Sequence, residues 1–154
     1  MRRFQQMAHF STKLIHAVVL ASAAMSLHSV AFAIDQSTDV EAKIILKAQT
    51  SWDGNPIVYP QGKPEITGMV IEIAPGGETG WHLHPVNSFA VLLEGELEVT
   101  LKNGASKRLK AGDALAEVAN TSHNGRSVGT VPARIIVFYV GEVGQTLSIK
   151  ESTK

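Results

Sequence analysis

Three histidines in the second half of the chain have types and spacing that suit a metal site. His82 and His84 are separated by a single residue, so on a β-strand both imidazoles project from the same face. His123 lies further along the chain. Neutral imidazoles bind Zn, Cu, Fe and Ni. Three protein ligands also leave at least one coordination position open, which is typical of catalytic rather than structural sites. The spacing therefore predicts a site in which His82, His84 and His123 bind one metal ion.

The other three histidines lie in residues 1–33, which have the layout of a secretory signal peptide. Basic side chains precede an apolar run over 14–27, and the sequence Ala-Phe-Ala at 31–33 matches an A-x-A cleavage site. The run is shorter than the about 20 residues that cross a bilayer, which favours a signal peptide over an N-terminal anchor. We expect cleavage between Ala33 and Ile34 and a periplasmic or secreted mature protein.

The composition of the chain limits the classes of partner and cofactor. The 154 residues suit one domain. Acidic and basic residues balance, and no basic run remains after residue 33. Nothing therefore indicates nucleic acid or an anionic membrane surface as a partner. The chain has no cysteine, which excludes disulfides and thiolate metal sites.

Short β-prone segments separated by turn residues predict an all-β fold of six to eight strands, from about Val40 to Ile149. We divide the mature chain into an N-terminal strand and loop over 34–64, with the strand at 40–48, and a barrel over 65–154. Alternation over 96–102 predicts a half-buried strand, and Asn103-Gly104 predicts a hairpin with a type I′ turn. Continuous apolar runs over 89–93 and 133–140 predict strands buried on both faces.

The histidine pattern resembles the first motif of the cupin superfamily, G-x5-H-x-H-x(3,4)-E-x6-G. Gly76, His82, His84 and Gly95 match it, whereas Ser88 stands where the motif has glutamate. The second motif, G-x5-P-x-G-x2-H-x3-N, is more degenerate. Its glycine and histidine are present as Gly112 and His123, and its proline, second glycine and asparagine are replaced by Val118, Asn120 and Ser127.

This resemblance implies a small single-domain cupin of the type-2 kind, folded as one jelly-roll barrel (a double-stranded β-helix). It also implies that the three histidines are ligands of a metal. The alternative is that they are core or surface histidines of a cupin that has lost its metal, since the ligand glutamate is replaced by Ser88. Against that, burying three imidazoles without a shared ion or hydrogen-bond partners is costly.

Glu117 is a further candidate for the site. If a hairpin is centred near Asn120, residues 117 and 123 are cross-strand partners and share a face. Glu117 would then be a fourth ligand, a hydrogen-bond partner of a ligand histidine, or a catalytic general base. A bulge at Asn120 would instead turn Glu117 outward as a surface charge.

Two function classes follow. The first is an exported metal-dependent enzyme; the resemblance implies a dioxygenase or isomerase acting on a small organic molecule. The second is a non-catalytic cupin that binds a small ligand or a metal in its barrel. For a chain that takes up its metal outside the cytoplasm, the affinity order favours Zn or Cu, with Fe, Mn or Ni as alternatives. Apolar residues on both faces of 133–140 and the need to cover barrel edges favour a homodimer.

Overall fold

The computed structural model describes residues 39–152, so the predicted signal peptide and its cleavage site lie outside the described residues. None of the described residues forms a helix long and apolar enough to span a membrane. Over this part of the chain there are nine strands and no helix: β1 (Pro64–Ile73), β2 (His82–Leu83), β3 (Asn87–Glu94), β4 (Glu96–Leu101), β5 (Ser106–Lys110), β6 (Ala114–Ala116), β7 (His123–Ser127), β8 (Ala133–Glu142) and β9 (Ile149–Lys150).

These strands form two antiparallel sheets that face each other. One sheet has the order β1-β8-β3-β6 and the other β5-β4-β7-β2-β9. Their inner faces supply the buried core, to which Leu92, Val99 and Val137 belong. The arrangement confirms the predicted all-β cupin barrel, but the described residues form nine strands in place of the predicted six to eight.

The hairpin of β4 and β5 shows how local sequence sets the register. Leu97, Val99 and Leu101 are buried while the intervening side chains are not, as the alternation predicts. The predicted type I′ turn is wrong, because only Gly104 of the Asn103-Gly104 pair has a positive φ, of 88°. The Asn103 side chain accepts a hydrogen bond from the Ala105 backbone N–H at 3.0 Å. This bond stabilises a longer loop that needs one left-handed residue rather than two.

The outer face of the four-stranded sheet is less buried than the apolar runs predict. Along β8, side chains alternate between buried and partly or fully exposed, and Phe138 on the outer face is 45% exposed. The same alternation holds over most of β3. The prediction that these strands are buried on both faces is therefore wrong for the single chain. β3 and β8 are apolar on both faces because the outer face of this sheet is apolar, and not because a second core layer covers it.

Residues 40–48 form no strand, although their sequence is β-prone. Ahead of β1, the described chain has one isolated bridge, between Thr50 and Pro56. Trp52 connects this loop to the barrel, because its backbone N–H donates to the carbonyl of Ala116 at 3.1 Å.

Candidate metal centre

The five-stranded sheet brings the three histidines together on its inner side. His82 on β2 and His123 at the start of β7 are direct cross-strand partners, so their side chains share a face. His84 comes directly after Leu83, the last residue of β2. Its side chain returns to the face of His82, as the His-x-His spacing predicts. The ring centroids are 4.4 Å apart for His82 and His123, 4.8 Å for His82 and His84, and 5.0 Å for His84 and His123.

Hydrogen bonds to the backbone determine which nitrogen of each ring is free to bind a metal. The Nδ1 atom of His82 donates to the carbonyl of Gly80 at 2.7 Å, that of His84 to Leu147 at 2.8 Å, and that of His123 to Thr121 at 2.9 Å. A carbonyl can only accept, so each Nδ1 must carry the proton and each Nε2 must carry the lone pair.

The three histidines fit a divalent transition metal. Their candidate ligand atoms lie within 4.8 Å of one another. To lie about 2.0–2.1 Å from one zinc ion, the most widely separated of these atoms would have to move closer together. Among the described residues, these three histidines are the one group of acidic or histidine side chains close enough to hold an ion. Glu117 is not a member of it.

Burial favours the neutral, metal-binding form of the imidazoles. His84 is 5% exposed and His123 2% exposed. Desolvation by burial lowers the pKa of His84 to about 4. The hydrogen bond to Leu147 raises this pKa, whereas the proximity of His123 and His82 lowers it further. Desolvation also lowers the pKa of the half-buried His82. The His82 and His84 rings are therefore neutral near pH 7 and ready to bind a cation.

The histidines line a small cavity of about 60 Å³ between the two sheets. Most of the remaining wall is apolar: Ile71, Ile73, Ala90, Leu97, Val99, Ile135 and Val137. Thr79, Ser88, Glu117 and Tyr139 are polar exceptions. A larger groove of about 540 Å³ lies elsewhere on the described surface, but it contains none of the three histidines. The chemistry of the small cavity makes it the better candidate for a functional site.

Glu117 reaches this cavity by a different route from the predicted one. The hairpin prediction is wrong because β6 pairs with β3 in one sheet, whereas β7 pairs with β4 and β2 in the other. The connection between them crosses from sheet to sheet through Asn120, whose φ is 55°. Glu117 nevertheless lines the same cavity as His123, so the surface-charge alternative does not describe it.

Trp52 holds the Glu117 carboxylate in place. The indole Nε1 donates to Oε1 of Glu117 at 3.0 Å, and the Val118 backbone N–H donates to the same oxygen at 3.1 Å. Sequence reasoning missed Trp52, which lies in a turn cluster far from both motifs. A large aromatic residue among turn residues was the available signal, because such a side chain usually packs against something.

Ser88, which stands at the glutamate position of the motif, is also inside the cavity. Its side chain is 1% exposed, and its Oγ has no hydrogen-bond partner among the described residues. On the neighbouring strand its register partner is Tyr139, whose ring packs edge-on against that of His84 at a centroid distance of 5.1 Å. Burial and the nearby Glu117 charge raise the pKa of the Tyr139 hydroxyl, which keeps it protonated near neutral pH.

Comparisons with known proteins agree with this fold. Residues 69–139 match the family model described as a cupin domain. This stretch contains His82, His84 and His123. The family match and the two-sheet architecture support the cupin superfamily, as the motif resemblance implies. No functionally curated protein matches the chain.

Several solved structures are similar to parts of the chain. An uncharacterized protein with a double-stranded β-helix domain from Klebsiella pneumoniae is 24% identical over 63% of this chain and 91% of its own, with a TM-score of 0.47. An oxalate decarboxylase from Lactobacillus farciminis is 22% identical over 55% of this chain and 26% of its own, with a TM-score of 0.49. An oxalate oxidase is 23% identical over 48% of this chain and 41% of its own, with a TM-score of 0.44. The chain thus spans less than half of either oxalate enzyme.

Proposed function

We propose that this protein is an exported metal-binding cupin whose single ion is held by His82, His84 and His123. The observation that carries the proposal is the orientation of the rings. All three Nδ1 atoms donate to backbone carbonyls, so three Nε2 lone pairs remain for one ion. Structural burial of three histidines would not require that their free nitrogens converge.

A metal titration of the purified protein tests this proposal. We expect one equivalent of Zn²⁺ or Co²⁺ per chain, and loss of that binding in His84→Ala. The matched control is Tyr139→Phe, which keeps the ring that packs on His84 and removes only the hydroxyl. Tyr139→Phe should bind metal as the wild type does, and wild-type protein that binds no more metal than His84→Ala would contradict the proposal.

For the identity of the ion, we propose Zn or Cu in preference to Fe, Mn or Ni. The ligands are imidazoles, for which affinity follows the order that places Cu and Zn above Fe and Mn. A carboxylate at position 88 would favour harder ions, but Ser88 occupies that position. Protein isolated from its native compartment should contain Zn or Cu, and stoichiometric Fe or Mn would overturn the choice.

In the catalytic form of this proposal, the protein is a dioxygenase or isomerase acting on a small organic molecule. A bound metal would supply Lewis-acid polarisation of a substrate oxygen. Of the chain's own groups, Glu117 lines the cavity without belonging to the histidine cluster. On this support we propose that Glu117 acts as a general base or as a positioning group rather than as a ligand.

A second candidate function is a non-catalytic cupin that binds a small ligand or a metal in its barrel. The hydrogen bonds of Glu117 favour it, because Trp52 and the Val118 backbone both donate to Oε1 and restrict that oxygen as a base. Glu117→Gln separates the two functions. If metal content, metal affinity and any detectable turnover are unchanged, Glu117 has no part at the site.

We further propose that the protein functions outside the cytoplasm after cleavage between Ala33 and Ile34. The support is the layout of residues 1–33. The intact mass of the mature protein decides this, and a product from the cell envelope that retains residues 1–33 would refute it.

We also propose a homodimer that covers the outer face of the four-stranded sheet. β1 is an edge strand of this sheet. Ile66 and Val70 on its outer face are 66% and 59% exposed, beside the exposed Phe138 of β8. Long apolar edges are unfavourable unless they are covered.

Light scattering with two matched variants tests the dimer. Val70→Glu should give a monomer, whereas Val58→Glu, at an equally exposed apolar side chain outside the strands, should not. Wild-type protein that is monomeric at micromolar concentration would refute the dimer while leaving the fold unaffected.

A further inference from the structure

The cavity contains a buried hydroxyl group that none of the described residues satisfies. In the described part of the chain, three side-chain oxygens are buried without a partner: those of Ser88, Ser122 and Ser127. Of these three, Ser88 alone lines the histidine cavity. An unsatisfied buried hydroxyl carries its full desolvation cost, so a natural position for it is one where a ligand completes its hydrogen bonding.

Ser88 lies on the sheet that faces the histidines. It is on β3 of the four-stranded sheet, while His82 and His123 are on β2 and β7 of the five-stranded sheet. Ala90, two residues further along β3, continues the same wall and is apolar. The cavity therefore has a nitrogen-rich wall on one side. The other wall is mostly apolar but carries the Ser88 and Tyr139 hydroxyls and the Glu117 carboxylate.

The size of the cavity limits what can bind there. About 60 Å³ is room for a few water molecules, since a single water needs at least about 10–15 Å³ by this measure. Pockets that take drug-sized ligands are about 300–1,000 Å³. A ligand of a few non-hydrogen atoms therefore fits this cavity better than a sugar, a nucleotide or an aromatic compound does.

The charge of the site favours an anion. The cavity's own charged side chain is the Glu117 carboxylate, with one negative charge. A divalent ion held by neutral imidazoles would leave a net positive charge in a mostly apolar cavity. A small monoanion would neutralise that charge, and its oxygens would accept the hydrogen bond that Ser88 can donate.

We infer that Ser88 is the specificity-determining hydrogen-bond donor for a small oxygen-bearing monoanion, of the size of a short monocarboxylate, bound in the histidine cavity. One carboxylate oxygen faces the histidine wall and the other accepts from Ser88 Oγ. This inference rests on the proposed metal function. In the cupin motif the position of Ser88 is occupied by a glutamate that binds the metal. Here Ser88 would instead bind the ligand.

Acetate is the probe for this subsite. Protein is loaded with Co²⁺ and titrated with acetate, and binding is followed by the visible spectrum of the metal. Ser88→Ala should raise the Kd for acetate about tenfold or more, the range for a hydrogen bond to a charged group. Ser88→Thr, which keeps a hydroxyl, should restore most of the affinity.

Ser127→Ala is the matched control. Ser127 is 0% exposed and its Oγ also lacks a partner, but it does not line the cavity. Its removal should leave acetate binding unchanged. Both alanine variants should melt at or above the wild-type temperature, since each removes an unsatisfied buried hydroxyl. A Ser88→Ala variant that is as stable as wild type but binds acetate more weakly separates a binding role from a structural one.

The outcomes distinguish this inference from the proposed function. Failure of the wild type to bind Co²⁺ would overturn the metal function and the inference together. If Co²⁺ binds but acetate does not, or acetate binds equally to wild type and Ser88→Ala, the inference alone is wrong. Equal weakening by Ser127→Ala would show a general packing effect and would also overturn it.

Discussion

Lowering the pH of the metal-free protein should destabilise it through His84 in particular. In the unfolded chain this imidazole titrates near 6.5, whereas burial and the neighbouring His82 and His123 lower its pKa to about 4 in the folded protein. The folded state therefore disfavours the protonated ring. The contribution of neutral His84 to stability is fully present above about pH 6.5 and is lost progressively as the pH falls toward 4.

The magnitude follows from the two pKa values. At pH 4.5 the unfolded chain has His84 almost fully protonated, and the folded chain has it mostly neutral. At about 1.4 kcal/mol for each tenfold difference in proton affinity, the free energy of unfolding should fall by about 2.5 kcal/mol between pH 7.5 and pH 4.5. That is a substantial part of the 5–15 kcal/mol that is typical of a folded domain.

Urea unfolding in the presence of a chelator measures this loss. The matched control is His84→Asn, whose amide can still donate to the carbonyl of Leu147 but does not titrate. The variant should lose about 2.5 kcal/mol less than wild type over the same pH range, and titratable groups that do not interact with His84 cancel in the comparison. Equal pH dependence for the two proteins would refute the account of a buried, neutral His84.

Three other predictions concern the groups around the site. Zinc at about a hundred times its Kd should raise the free energy of unfolding by about 2.7 kcal/mol, measured by urea titration, and His84→Asn should abolish the increase. Glu117→Gln should leave the metal stoichiometry at one per chain, since Glu117 is outside the histidine cluster; loss of metal in this variant would make Glu117 a ligand. Trp52→Phe should lower the free energy of unfolding by about 1 kcal/mol, because the partly buried indole bond to Glu117 is lost. An unchanged urea midpoint would show that this bond contributes nothing.

The histidine cluster could be predicted from the sequence because strand periodicity is local. His82 and His84 share a face in any strand, and the pattern holds even though β2 itself is only two residues long. The strand pattern of β4 was equally local, and this strand begins where the alternation predicts. The cupin motifs added the long-range step that brings His123 to the pair.

Features that depend on sheet pairing or on the loop ahead of β1 could not be predicted in the same way. The position of Glu117 depends on which sheet β6 joins, and the crossing at Asn120 has no signature that distinguishes it from a hairpin turn. The bond from Trp52 joins residues 65 positions apart. For β8, an apolar sequence on both faces predicts burial, but it does not say whether the cover comes from the same chain or from a partner.

The coordination of a bound metal tests the central claim most directly. A crystal structure of the zinc-loaded protein should place one ion about 2.0–2.1 Å from the Nε2 atoms of His82, His84 and His123, with each Nδ1 still donating to its backbone carbonyl. Zinc bound through Nδ1, bound by fewer than three of these histidines, or bound only outside the cavity would contradict the account.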